Sequence, residues 1–244
     1  MQLLKFEIFG DKIMHAVSTR DGGVSSGPYE SLDLRLEGGD SPKNVRKNYE
    51  IFSEAVGFNL DALAIAHQEH TDKILVISDP VGLDNAIRGV DGFMTNQKNI
   101  PLMVRFADCQ GVLFYDPIKQ VIAAVHSGWR GNTKNILGKT VAKMKSEFGS
   151  NPANILLGIS QSLCPKCAEF SDPMMVLPES MHKYINGKHV DLWQCSLDQL
   201  EASGVLLDNV ELMGRCTVCE YDKFFSVRAG KTVTGHMGAV IQLT

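Results

Sequence analysis

Short apolar runs of strand length alternate along the chain with stretches of helical spacing. Leu4–Phe9 and Met14–Ser18 read as strands. Ser41 followed by Pro42 supplies an N-cap with proline at the first helical position, predicting a helix through Val56 that Gly57 ends. Ala62–Ala66 and Lys73–Ser78 predict strands flanking a polar segment that carries His67, Gln68 and His70. Leu102–Phe106, Val112–Tyr115 and Val121–Val125 are three apolar runs separated by short polar breaks. Asn132 then caps an expected helix reaching Phe148, stopped by Gly149. Ile155–Ile159 reads as a buried strand, Asp191–Ser203 as a helix ended by Gly204, and Phe224–Arg228 and Ala239–Leu243 as closing strands.

Strands outnumber helices, and short connections permit antiparallel pairing. The expected class is α/β (α+β), with mixed or antiparallel sheets; no G-x-G-x-x-G or P-loop argues for a Rossmann fold. The glycine-rich stretch Arg20–Asp40 lies too near the N-terminus to divide domains and reads as loops wrapping the core, so one domain over 1–244 is expected. If the three central runs form an up-down-up meander, Cys109 and His126 emerge at the same end of a sheet. Two strand spacings, on the order of 10 Å, would then separate them.

Charge narrows the function. A net charge of −4 with no basic stripe excludes a partner whose many phosphates must be neutralised, so no nucleic-acid polymer is expected. The N-terminus lacks the apolar run of a signal peptide and no segment approaches a membrane span, which makes the cytoplasm the expected location and a membrane an unexpected partner. In a reducing compartment, six cysteines pose a question about metals or catalysis rather than disulfides.

Cys109 follows Ala107-Asp108, which sets a carboxylate available for general acid–base work beside a thiol. His126 opens His126-Ser127-Gly128-Trp129-Arg130-Gly131, where two glycines allow close backbone approach just before a helix and Arg130 offers a charge to anionic groups. His70, in a turn-like polar break, is the best third member, with His67 as a competitor. Two imidazoles and one thiolate leave a fourth position open on tetrahedral zinc, the pattern of a catalytic centre. Trp129 reads equally as a core anchor or a stacking surface, and Arg130 as a salt-bridging residue or a substrate contact.

At these residues the chain resembles the YfiH or laccase-domain family. The resemblance is carried by Gln68-Glu69-His70, Ala107-Asp108-Cys109 and His126 to Gly131, in order. It extends to Asp91-Gly92-Phe93-Met94-Thr95, Gly39-Asp40 with Asn48, Cys216-Thr217, and Phe225-Ser226-Val227-Arg228. It implies metal ligation by His70, Cys109 and His126, with zinc as the usual cofactor and copper in some members. It also implies a four-layer α-β-β-α sandwich shared with deamidase toxins. The implied activity is phosphorolysis of adenosine, inosine, guanosine and methylthioadenosine with adenosine deamination, so purine nucleoside and phosphate are the expected partners. Asp108, Cys109 and His126 are then the expected catalytic residues, and Gln68 and Arg130 the expected substrate contacts. The chain departs from the pattern at Glu69, Thr71, Gly111, Ser127, Asp33, Tyr49 and His236, several of which stand where the family has an arginine or another usual residue. None of these is an expected metal ligand.

Rival readings are a copper polyphenol oxidase, a metal-free hydrolase in which His126 activates Cys109, and a binding module. Separately, Cys164-Pro165-Lys166-Cys167 and Cys216-Thr217-Val218-Cys219 form two C-x-x-C pairs. They read either as a second, structural metal site or as ordinary thiols.

Overall fold

A computed structural model describes residues 1–230 and 233–244. The chain opens with β1 (Leu3–Leu4) and β2 (Met14–Ser18), then passes through the Arg20–Asp40 loops to helix α1 (Pro42–Val56). Short strands β3 (Ala66–His67), β4 (Ile74–Val76) and β5 (Ile87–Arg88) lead to β6 (Gly92–Thr95), β7 (Leu102–Phe106), β8 (Gln110–Asp116) and β9 (Val121–Ser127). Helices α2 (Trp129–Thr133) and α3 (Ile136–Phe148), strand β10 (Leu156–Ile159) and the helical turn α4 (Pro173–Val176) follow. The remainder is β11 (Ile185–Asn186), β12 (His189–Val190), α5 (Leu192–Ala202), β13 (Val210–Leu212), the helical turn α6 (Val227–Gly230) and β14 (Met237–Gln242).

The expected mixed α/β architecture is present. One sheet has the order β1-β2-β14-β7 and is antiparallel throughout. The other, β13-β10-β8-β9-β6-β4, is antiparallel at its centre and parallel at both edges. Strands β8 and β9 are buried along their whole length, as continuous apolar runs require. Val104, Phe106, Leu113, Ile122, Ala124 and Ala239 interlock between the sheets. Tyr49 and Phe52 of α1 pack with Ala16, Met103 and Val240 of the four-stranded sheet. Val141 and Met144 of α3 and Leu200 of α5 pack with Phe114, Ala123 and Leu157 of the six-stranded one. Asn48 of α1 pins the glycine-rich loops by accepting from Val24 N and donating to Ser25 Oγ and Asp33 O.

Several expected boundaries shift. Helix α1 keeps its Ser41 cap and its left-handed Gly57 stop. The helix expected from Asn132 is two helices: Asn135, at φ 56°, interrupts it and caps α3 through Gly138 N, while Asn132 is buried inside α2. A cap residue in the left-handed region cannot continue the preceding helix. The strand expected over Leu4–Phe9 is β1 followed by a 3-10 turn, and that over Phe224–Arg228 gives way to α6. The meander reading also needs correction: β7 belongs to the four-stranded sheet, because its hydrogen-bonding partner, β14, comes from the far end of the chain. Among the described residues no helix is long and apolar enough to cross a membrane.

His15 shows how the four-stranded sheet joins the N-terminus. Its buried ring sits against Phe9 (centroids 4.9 Å) and accepts the Phe6 N–H at Nε2, while Nδ1 donates to Ile13 O. Burial holds its pKa below the usual value, outweighing the hydrogen bond to Ile13. The unfolded chain therefore binds a proton that the native state refuses. The contribution of His15 is present above the ordinary histidine pKa of about 6.5 and is lost as pH falls through it. Urea unfolding between about pH 7 and 5 should show a shallower loss of stability for His15→Gln than for the parent; equal slopes would rule His15 out as the source.

Candidate metal centre and active site

The polar break after β3 is held at both ends. Gln68 clamps onto β7, donating Nε2 to Arg105 O (2.6 Å) and accepting Arg105 N at Oε1 (2.8 Å). His70 stands two residues later in the left-handed region (φ 57°), which a non-glycine residue occupies only when its surroundings compensate. The compensation comes from Asp91, fully buried just before β6. Its Oδ1 accepts His70 N (3.0 Å), and its Oδ2 accepts Glu69 N (3.2 Å), Thr71 N (2.6 Å) and Thr71 Oγ1 (2.8 Å). The same carboxylate takes His126 Nδ1 at 2.8 Å, and Asp91 O accepts His126 N. With Nδ1 so engaged, Nε2 is the ring nitrogen left for a ligand, the arrangement common to metal-binding histidines.

Cys109 lies on the link that leaves β7 and enters β8, crossing from one sheet to the other. Because Gly111 pairs with His126, Cys109 and His126 are one strand spacing apart rather than two. Cys109 Sγ lies 3.9 Å from His70 Nε2, the two histidine rings meet edge-on at 4.9 Å, and one ligand atom from each of the three residues falls within 4.8 Å of the others. Gly128 makes room for this: a Cβ there would stand 2.7 Å from Cys109 Sγ and 3.0 Å from His70 Cδ2.

Charge is sorted within the cluster. Burial pushes the Cys109 thiol up, but the positive charge of His126 and hydrogen bonds from His126 and His70 outweigh it and bring the thiol down to about 6. Burial opposes protonation of His126, yet the Cys109 charge and the Asp91 hydrogen bond raise it to about 9. For Asp91 the His126 and Thr71 bonds overcome burial and hold the carboxyl at about 2. With the His126 proton displaced by a metal ion, one thiolate and two imidazoles make a donor set suited to zinc or copper.

The cluster opens into a cavity of about 990 Å³. Arg35, Arg105 and His236 line it, as do Trp129 and Phe170, which pack edge-to-face at 5.8 Å. Arg105 is a buried charge in the middle of β7; one guanidinium nitrogen donates to Ala66 O, and among the described residues its Nε has no hydrogen-bond partner. His236 is held well below the usual histidine range, first by burial and then by the charges of Arg105 and Arg35.

The other expected site residues are placed unevenly. Asp108 lines the cavity at φ 80°, but its carboxylate accepts Thr217 Oγ1 (2.7 Å), Ser226 Oγ (2.6 Å) and Arg228 N (2.7 Å), tying down the chain's last loop. Gln68 lines the cavity with its amide bound to backbone. Arg130 is exposed, its guanidinium 4.3 Å from the Trp129 ring centre, and is not among the lining residues. His67 turns to Glu37 (3.2 Å) and is no part of the three-residue cluster. Sequence reasoning missed Asp91 as the partner of His126, and Arg105 altogether. The signal for Arg105 was available: a lone charge inside the apolar run Leu102–Phe106 needs a reason to be buried.

The family model for multi-copper polyphenol oxidoreductase laccase matches residues 14–244. Purine nucleoside phosphorylase YlmD of Bacillus subtilis is 30% identical over 94% of this chain and 88% of its own length. A purine nucleoside phosphorylase of Bacteroides thetaiotaomicron is 32% identical over 92% of this chain and 91% of its own. The crystal structure of YlmD from Geobacillus stearothermophilus superposes with a TM-score of 0.91 at 28% identity, covering 100% of this chain and 96% of that one.

Asp91→Asn keeps an acceptor for His70 N but removes the charge that orients His126. Zinc affinity measured by chelator competition should fall by roughly 10–100-fold, and an unchanged affinity would remove Asp91 from the centre. Gly128→Ala should also weaken zinc binding, because its Cβ has no space between Cys109 and His70.

Proposed function

Since this chain belongs to the multi-copper polyphenol oxidoreductase laccase family, whose relatives here are named purine nucleoside phosphorylases, we propose that it is a zinc-dependent purine nucleoside phosphorylase. Its substrates are adenosine, inosine, guanosine and methylthioadenosine, and it also deaminates adenosine. The observation that carries this reading is the His70, Cys109 and His126 cluster opening into a cavity lined by Arg35 and Arg105 and by Trp129 and Phe170. The donor set fits zinc: the thiol is ionised at neutral pH, and His126 is oriented by a carboxylate. His70, Cys109 and His126 would hold the ion, which supplies a Lewis-acid centre with a position open to the cavity.

The remaining roles fall to the chain's own residues. Arg35, Arg105 and His236 bind inorganic phosphate, and Arg105 brings a buried Nε donor that no described residue satisfies. Trp129 and Phe170 receive the purine. Phosphate oxygen then bonds to C1′ of the ribose as the glycosidic C1′–N9 bond breaks, and the base leaves with that electron pair and a proton. Asp108, beside Cys109 on the cavity wall, is the proposed carrier of the proton, held in place by Thr217, Ser226 and Arg228 N. Gln68 acts by fixing the His70 loop onto β7. The packing of α1, the two sheets, and α3 with α5 supports a single α-β-β-α four-layer domain over 1–244, and the likeness to deamidase toxins is proposed from the family resemblance. Six free thiols suit a reducing cytoplasm.

A second reading is favoured by one observation, the ionised Cys109 beside a protonated His126 backed by Asp91. That trio could act as a metal-free nucleophile, a general acid and the carboxylate that orients it. Copper at the same donors, oxidising phenols, is the third.

One preparation assayed as apo, zinc and copper forms separates them. The zinc form should consume adenosine with phosphate present and yield inosine without it; chelation should abolish both. Activity that survives chelation but not thiol alkylation would replace the metal reading with the nucleophile, and phenol oxidation by the copper form alone would replace it with the oxidase. Arg105→Gln should raise the phosphate KM about tenfold or more, the scale of a lost charge-assisted hydrogen bond, and leave phosphate-free deamination intact.

A further inference from the structure

The two C-x-x-C turns take no part in the site described above. They are 52 residues apart in sequence and are joined by a parallel bridge between Ser162 and Cys216. The four sulfurs of Cys164, Cys167, Cys216 and Cys219 all lie within 4.8 Å of one another. Cys167 and Cys219 have Sγ atoms 3.7 Å apart. A disulfide brings sulfurs to about 2.05 Å. Four thiolates around zinc at about 2.3 Å lie at the corners of a tetrahedron with edges of about 3.8 Å.

The backbone around the cluster is arranged to suit anionic sulfur. Cys164 N–H points at Cys216 Sγ (3.4 Å), and the Val218 and Cys219 amides donate to the same atom. The first turn closes on itself through Cys167 N and Ala168 N, which both donate to Cys164 O. Both segments lack sheet support. Between β10 and β11 the chain forms only the helical turn α4, a 3-10 helix and isolated bridges, and between β13 and β14 the described residues contain no strand. They nevertheless form the cavity wall: Ser162, Leu163, Phe170 and Arg228 line it, Leu163 N donates to Asp108 O, and Thr217 Oγ1 donates to Asp108 Oδ1.

We infer that Cys164, Cys167, Cys216 and Cys219 bind a structural zinc ion, separate from the His70, Cys109 and His126 centre, that cross-links the two loops walling the active-site cavity. Four protein donors close the ion's coordination, so it holds the loops in place and carries no chemistry. The inference does not depend on which reaction the cavity supports.

The full-length Cys109→Ala protein isolates the cluster. After gel filtration it should retain one zinc equivalent, and its zinc X-ray absorption should fit four sulfur neighbours at about 2.3 Å. Cys216→Ser with Cys219→Ser in the otherwise native chain should lose one equivalent and unfold at lower temperature. If that double variant does not fold, the native protein still decides the matter, because iodoacetamide should spare these four cysteines until a chelator is added. Three results would each overturn the inference: no retained zinc in Cys109→Ala, free alkylation of the four thiols without chelator, or an intact mass short of two hydrogens for each cysteine pair.

Discussion

The Asp91 carboxylate sits, with no solvent exposure, between the loop that carries His70 and the strand that carries His126. Removing a carboxylate from water costs several kcal/mol unless its lone pairs are satisfied. Here five donors meet it: Glu69 N, His70 N, Thr71 N, Thr71 Oγ1 and His126 Nδ1. That saturation lets His70 occupy a left-handed backbone conformation and selects the free nitrogen of His126. Cys109 then arrives by register alone, because β8 and β9 are paired along their full length. The centre therefore hangs on one buried charge and one antiparallel ladder.

A second buried carboxylate, Asp33, positions two residues that line the cavity, Arg35 and His236. Asp33 accepts backbone N–H groups from Arg35, Asp40 and His236, and so draws the glycine-rich loops and the start of β14 together. Burial raises its pKa against those hydrogen bonds. Arg35 and Arg105 come close enough to His236 for their charges to disfavour its protonation, and all three line the cavity that Cys109 also lines. The two arginines and the thiol line one cavity. An anion entering there gains from charges already fixed in place, with little reorganisation to offset.

The loops that close the cavity come from regions with little regular structure, and Asp108 is where they meet the sheets. Its left-handed backbone and three accepted hydrogen bonds join the β7–β8 link to Thr217, Ser226 and Arg228. A residue in that position couples the order of the outer wall to the placement of Cys109, its immediate neighbour. Dynamics of the wall and geometry of the centre are thus linked through one side chain.

Much of this was legible from residue order. The Ser41-Pro42 cap and the Gly57 stop bound α1 because capping depends only on neighbouring residues. The apolar runs from Leu102 to Val125 predicted strands because a strand buried on both faces can hardly be anything else over so few residues. The mixed α/β class, and the gathering of His70, Cys109 and His126, were likewise anticipated. What could not be read was pairing between distant segments. Strand β7 follows its sequence neighbours by position but joins the other sheet through β14, so the separation inferred for Cys109 and His126 came out too large. Asp91 and Arg105 acquire their roles from partners far along the chain, and nothing local distinguishes a hub carboxylate from a surface one. Local periodicity and capping determined the elements, because their energetics involve only near neighbours. Tertiary structure alone decided which polar side chains would be buried together, because the energy of a buried charge depends on every group that surrounds it.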